Sequence, residues 1–267
     1  MPSFRSSPPP QPDGVRDYRL LLERWLKVCG VEESLALGIY GEAGGYPLAV
    51  VETTLPDPAK PAFYFSAGIH GDEPAPVEAL IRWAEQNQGC LAAWNLTIFP
   101  CLNPWGLERN IRFDAEGRDL NRCYNSIKVP QIAAQVAVMK GRRFDVAASL
   151  HEDYDARGFY LYEIAGRHSS WGAAVRQRLS RLMKPDDRKS IDGHRANSGT
   201  IRRRIHPRIM PGHPEAFLLH FRHASRTLTF ETPSELALGD RVRVQSAFLE
   251  IIPKFLKSKG GKRTKTR

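Results

Sequence analysis

The segment Ala62-Phe-Tyr-Phe-Ser-Ala67 constrains the fold more than any other stretch of this chain. It holds three aromatic residues and no charge, and it follows the Pro-rich loop Pro56–Pro61. A strand of this composition is suited to being covered on both faces. Such a strand needs a packed layer on each side, and the surrounding sequence supplies alternating elements. Strand patterns occur at 35–40, 47–52, 95–100, 144–150, 159–164 and 227–230. Helical patterns occur at 15–28, with Asp13 placed to cap it, and at 75–86, 131–140, 169–183 and 240–256. Residues 185–216 are rich in Gly, Pro, Arg and His and read as long loops. The expected class is α/β, a single domain with a mixed, mostly parallel β-sheet flanked by helices.

Composition marks the edges of that domain. Residues 1–13 contain five prolines and read as a disordered lead-in. Residues 254–267 contain seven Lys or Arg and no acid, so they account for most of the net charge of +10 and read as a basic, flexible tail. The folded domain is therefore expected over 14–253. No specific nucleic-acid partner is expected, since a block of like charge is ordinarily a solvated end. No apolar run reaches the roughly 18–20 residues of a membrane span. The first ten residues lack the apolar core of a secretory signal. The four cysteines, Cys29, Cys90, Cys101 and Cys123, form no CxxC pair. That disfavours a zinc ribbon or disulfide scaffold and fits a cytoplasmic setting.

In open α/β sheets, ligands bind beyond the carboxyl ends of the strands, and three such ends carry chemistry here. The first is Ile69-His70-Gly71-Asp72-Glu73. An imidazole and a carboxylate three residues apart can share one cation, and Asp72 competes with Glu73 for that role. Gly71 permits the tight turn between them. The second is Ser149-Leu150-His151, followed by Glu152 and Asp153, which read as a solvated loop. The third is Thr229-Phe230-Glu231-Thr232-Pro233. Its acid suits either general acid–base work or the N-terminal end of the last helix.

Between these lie Asn103-Pro-Trp-Gly106, Arg112 and Asp119-Leu-Asn-Arg122. Arg122 suits bidentate carboxylate recognition, with Asn121 as a neutral partner. Asp119 suits the second nitrogen of a metal-holding imidazole, and Arg112 suits a developing oxyanion. The stretch 195–226 adds seven arginines against one acid, Glu215. If it borders the cleft, it favours an anionic substrate.

Taken in order from Phe63 to Pro233, these residues resemble the carboxypeptidase A-like zinc metallocarboxypeptidases. The short chain is similar to the short bacterial form, the murein peptide amidases among them. The resemblance implies one Zn²⁺ per chain held by His70, Glu73 and His151, the two-His, one-Glu set known for carboxypeptidase A. It implies Asp119 behind the first histidine and Glu231 as general base. It also implies Arg112 at the oxyanion, and Asn121 with Arg122 on a substrate carboxylate. The substrate so implied is a small peptide or amino-acid derivative with a free carboxylate. One departure stands out. The substrate-capping tyrosine of the larger members, which lies upstream of the catalytic glutamate, has no counterpart between Glu163 and Glu231; the last tyrosine is Tyr162.

The related succinylglutamate desuccinylase/aspartoacylase group shares the zinc set and a DLNR-like segment, and gives an N-acyl amino acid deacylase as the alternative reaction. That group generally adds a β-domain after the catalytic glutamate, whereas 36 residues follow Glu231 here. A catalytically inactive zinc- or anion-binding protein is the alternative of another class. It would have no use for Glu231, Asn121 and Arg122 together. A serine or cysteine hydrolase has little support, since no GxSxG is present and no cysteine has a histidine nearby in sequence.

Overall fold

The computed structural model describes residues 14–125, 128–205 and 212–257. The Pro-rich lead-in 1–13, Asp13 within it, and residues 258–267 of the basic tail lie outside the described residues. The chain opens with α1 (Tyr18–Val31), whose N-cap is Asp17, its carboxylate accepting from the Leu20 N–H at 2.9 Å. The hairpin β1 (Leu35–Ala43) and β2 (Tyr46–Thr53) follows, then β3 (Ala62–Ser66), α2 (Pro74–Gln86), β4 (Asn95–Phe99) and the short α3 (Pro104–Arg109). Next come α4 (Pro130–Val138), β5 (Val146–Asp153), β6 (Tyr160–Ile164) and α5 (Gly172–Leu179). The chain continues through β7 (Ser190–Ile191), β8 (His194–Arg195), β9 (Thr200–Arg202), α6 (Glu215–Arg222), β10 (Thr227–Pro233) and α7 (Leu238–Lys257).

Eight strands form one mixed sheet in the order β1-β2-β4-β3-β5-β10-β6-β9. Its centre, β4-β3-β5-β10, is parallel throughout. Alternation along β3 explains why that strand nucleates two layers. Phe63 and Phe65 face one apolar cluster, with Trp25, Val77, Trp83, Val175 and Phe248 from α1, α2, α5 and α7. Tyr64 faces the other, with Ile132, Leu218 and Leu219 from α4 and α6. Strand β5 divides the same way, Val146 and Ala148 to the first cluster and Ala147 to the second.

Connectivity then fixes where a ligand can sit. From β3 the chain crosses through α2 to β4 on one side, and returns through α4 to β5 on the other. The strand order therefore reverses between β3 and β5. Their carboxyl ends open a crevice there, with β10 alongside β5.

Two sequence expectations need correction. Residues 185–216 are not simply long loops: they hold the hairpin β7–β8, β9 and the start of α6. The strands are two or three residues long, too short for alternation to show. The basic tail begins later than residue 254, because α7 continues through Pro253 to Lys257, with Phe255 packed beside Trp171 at 4.9 Å. An apolar side chain at that point gives the last turn a core contact that a count of basic residues overlooks. Among the described residues, no helix is long and apolar enough to cross a membrane.

Phe230 ties the sheet to α7, its ring stacked on Phe248 at 4.1 Å and tilted on Phe159 at 5.6 Å. Phe230→Ala should lower the unfolding free energy by about 3–5 kcal/mol, read from the urea midpoint. A loss below about 1 kcal/mol would show that this stack does not hold the two layers together.

Candidate metal centre and cleft

The loop leaving β3 is zipped to the loop leaving β4. The Leu102 N–H donates to Ala67 O at 3.0 Å, and the Asn103 N–H to Gly68 O at 2.8 Å. This pairing sets the position of Ile69–Glu73. Gly71 is required for a reason other than a left-handed turn: a Cβ there would come within 2.0 Å of the Gly106 carbonyl carbon in α3. Glycine allows α3 to lie directly against the loop.

His70, Glu73 and His151 converge, all buried, with potential ligand atoms within 4.8 Å of one another. His70 Nδ1 lies 2.5 Å from Glu73 Oε1, and His151 Nδ1 lies 3.1 Å from Glu73 Oε2. Both imidazoles thus turn the same nitrogen toward one carboxylate. Asp72 is not in this cluster. His70 Nε2 is left for Asp119 Oδ1, at 3.3 Å. Two imidazoles and a carboxylate, buried and aimed at one point, are a donor set suited to Zn²⁺.

Glu231 joins them through strand register, since it pairs with His151 across the parallel β10–β5 ladder. Neighbours in a parallel register point to the same face, so the acid and the imidazole share the crevice.

Arg112 is fixed from its backbone. Asn103 caps α3 through the Gly106 N–H at 3.0 Å, and its side-chain amide donates to Arg112 O at 3.3 Å and Phe113 O at 3.0 Å. The Arg112 guanidinium donates to Asp119 Oδ2 at 3.0 Å and stands 3.6 Å from Glu73. It is therefore engaged by carboxylates rather than free. Asn121 Oδ1 accepts from the Glu215 N–H at 2.9 Å, while Arg122 is exposed. Glu152, expected in a solvated loop, is instead buried on β5 and paired with Arg241. Its neighbour Asp153 accepts from the Tyr160 hydroxyl at 3.0 Å.

His70, Glu73, His151, Glu231, Arg112, Asn121 and Arg122 line a cavity of about 410 Å³ together with Tyr160, Tyr162, Asp192, His194, Arg203 and Glu215. The two tyrosines come from β6, beside β10. Tyr162 stands out in the sequence only as the last tyrosine before a gap, and nothing there singles out Tyr160. Glu215 stands out in the sequence only as the one acid among arginines. It is a buried hub beneath the cleft, accepting from Ser66 at 2.7 Å, Ser149 at 2.6 Å, Gln135 at 2.9 Å and Tyr64. Nothing in its local sequence signals that role, because its partners come from β3, α4 and β5.

Burial alone would lower His70, but the Glu73 charge and the bond to Asp119 outweigh it and raise the group to about 9. His151 is also raised: burial opposes the charged ring, and Glu73 and Glu231 overcome that. Glu73 is held well below the usual carboxylate range, since both histidines outweigh its burial. Asp119 is likewise held low by His70 and Arg112 against burial. Glu231 is pushed up to about 8, first by burial and then by Glu73, Asp153 and Asp192, with His151 opposing.

Comparison with known proteins gives likenesses at two levels. At the level of fold, the structure superposes on metallopeptidase-type proteins. One is a provisionally named metallopeptidase from Shewanella amazonensis SB2B, with TM-score 0.78, 20% identity and coverage of 91% of this chain and 94% of that one. Another is the metallo-carboxypeptidase from Burkholderia cenocepacia, with TM-score 0.67, 14% identity and coverage of 90% and 69%. At the level of sequence, residues 59–173 match the succinylglutamate desuccinylase/aspartoacylase catalytic domain family. A 130-residue stretch is 32% identical to carboxypeptidase SOL1 of Arabidopsis thaliana, covering 40% of this chain and 26% of the relative. That stretch spans about a quarter of the relative's length. The chain is thus similar to a metallopeptidase and a metallo-carboxypeptidase in fold, and to the desuccinylase/aspartoacylase domain over the segment that carries His70, Glu73, Arg112, Asn121, Arg122 and His151.

Two predictions follow from the packing and the charges. Gly71→Ala should displace the His70–Glu73 turn from α3, lowering both zinc content after dialysis and the melting temperature; unchanged values of both would refute the close approach. In metal-free protein, His70 binds its proton more tightly folded than unfolded, with about 9 against the ordinary 6.5. Its contribution to stability is complete below the lower value and is lost as pH rises through the higher one. The raised Glu231 acts in the same direction between 4.5 and about 8. The urea midpoint of chelator-treated protein should therefore fall between about pH 6 and pH 9, and a rising midpoint would contradict both assignments.

Proposed function

We propose that this chain is a zinc-dependent hydrolase that cleaves an amide or peptide bond beside a free carboxylate, of the metallocarboxypeptidase or murein-peptide amidase type. The observation that supports it best is the convergence of His70, Glu73 and His151 with Glu231 in register beside His151. In this reading His70, Glu73 and His151 hold one Zn²⁺. When bound, the ion supplies a Lewis acid that polarises a carbonyl and makes water more acidic.

The other roles belong to the chain. Asp119 orients His70 through Nε2 and keeps its other nitrogen turned to the centre. Glu231 takes a proton from the attacking water and delivers it to the departing amine. A buried carboxyl raised to about 8 is suited to holding and releasing a proton near neutral pH. Arg112, at the edge of the cluster, stabilises negative charge on the carbonyl oxygen. Asn121 and Arg122 anchor the substrate carboxylate. The Asn121 carbonyl is already occupied by the Glu215 N–H, so its amide is left to donate. The four free cysteines accord with a cytoplasmic site of action.

A second reading, hydrolysis of an N-acyl amino acid, is favoured by the family match over residues 59–173. A panel separates the two: a peptide with a free carboxylate, a γ-glutamyl–diaminopimelate peptide, and N-acyl amino acids. Cleavage of the last alone favours the deacylase. Glu231→Gln should retain zinc yet lose turnover by on the order of 10²–10⁴, and chelation should abolish it in the wild type. Near-normal turnover of the zinc-loaded variant would remove Glu231 from the scheme.

A further inference from the structure

The Glu215 carboxylate is fully engaged within the protein, although the residue lines the cleft from the first turn of α6. Its Oε1 accepts from the Tyr64 hydroxyl and from Gln135 Nε2 at 2.9 Å. Its Oε2 accepts from Ser66 Oγ at 2.7 Å and from Ser149 Oγ at 2.6 Å. A carboxylate offers about four lone-pair positions, and these four donors occupy them. Little capacity is left for a ligand. The donors stand on β3, α4 and β5, so the group ties the start of α6 to the centre of the sheet.

The backbone of the same residue faces Asn121, whose side-chain Oδ1 accepts from the Glu215 N–H at 2.9 Å. Only the oxygen of that amide can meet an N–H, so its nitrogen is the end left for the cavity that Asn121 lines. The loop before α6 runs alongside. The Tyr124 N–H donates to His213 O at 3.1 Å, and a Cβ on Gly212 would stand 3.4 Å from Arg122 Cδ. Asp119 holds the Asn121 backbone N–H at 3.0 Å, and the α6 N–H decides which end of the side-chain amide turns outward. An unrestrained amide can rotate to present either a donor or an acceptor. Held this way, Asn121 offers a donor next to Arg122, whose guanidinium donates to Asn121 O at 3.0 Å. Donors side by side complement a carboxylate and oppose the amino group of a carboxamide.

We propose that Glu215 is a positioning residue for substrate selection. By tying the first turn of α6 to β3 and β5, it locks the Asn121 amide with its nitrogen toward the cavity. That end of the cleft then selects a carboxylate over a neutral carboxamide. The inference rests on the hydrolase reading above and adds the residue that sets its carboxylate selectivity without touching substrate.

Two amide substrates test this, identical except that the terminal carboxylate of one is a carboxamide in the other. Wild-type kcat/KM should favour the carboxylate by on the order of a hundredfold or more. Glu215→Gln, loaded with zinc to the wild-type level, should lower that ratio by on the order of tenfold. Tyr64→Phe removes one anchor from outside the cavity and should lower the ratio by roughly threefold, which decides the matter if Glu215→Gln does not fold. In an Asn121→Ala background neither substitution should change the ratio further. Calorimetric binding of both substrates to zinc-loaded Glu231→Gln, with and without Glu215→Gln, should show the same shift without turnover. Variants that slow both substrates alike and keep the wild-type ratio would reveal a merely structural role and overturn the proposal. Full additivity with Asn121→Ala, or a wild type with no preference for the carboxylate, would overturn it too. Each of these outcomes leaves the hydrolase reading intact. Absence of both binding and chelator-sensitive hydrolysis for the two substrates would overturn the hydrolase reading, and this proposal with it.

Discussion

A single carboxylate, that of Glu73, holds the candidate centre together. It meets His70 at 2.5 Å and His151 at 3.1 Å, and its Oε2 also accepts from the Glu152 N–H at 3.1 Å. Through it the loop after β3 is joined to β5 where the strand order reverses. A buried carboxylate is expensive without partners, and here two imidazoles and a backbone amide satisfy it. The same groups form a set of nitrogen and oxygen donors that a divalent cation fits. The arrangement that stabilises the metal-free protein is thus also the one that would be titrated by metal.

Around that carboxylate the polar groups form a continuous shell. Asp119 touches His70 and Arg112 at once, and its Oδ1 also accepts from the Asn121 N–H at 3.0 Å. Asn121 accepts from the Glu215 N–H, and Glu215 binds hydroxyls on β3 and β5. Asn121, proposed to hold substrate, is therefore braced through Glu215 against β3, which leads to His70, and β5, which carries His151. Such bracing limits reorganisation in a polar site.

Much of this was legible in the chain. The aromatic run at Ala62–Ala67 indicated a strand covered on both faces, and the strand–helix alternation indicated the α/β class. The acids and imidazoles at three strand ends could be singled out because such folds place ligands there. Other features left weaker traces. The apolar run Phe217-Leu-Leu219 within α6 was a readable helix signal, masked by its Gly-, Pro- and Arg-rich surroundings. Glu152 looked solvated because two acids in a row follow a histidine, yet alternation along β5 carries it inward to Arg241.

The order of the chain by itself determined which chemistries were present and on which kinds of element, because propensity and periodicity are local properties. It could not determine which of Asp72 and Glu73 faces the histidines. It gave no sign that Gly71 is needed to admit the α3 backbone, that Arg112 is already engaged by Asp119, or that Asp192 and Arg203 line the same cavity. The choice of Glu73 and the place of Gly71 were decided by the sheet order and by the loops after β3 and β4, zipped together across 35 positions. Contacts between residues far apart in sequence depend on how packed layers align, and no local pattern encodes that alignment.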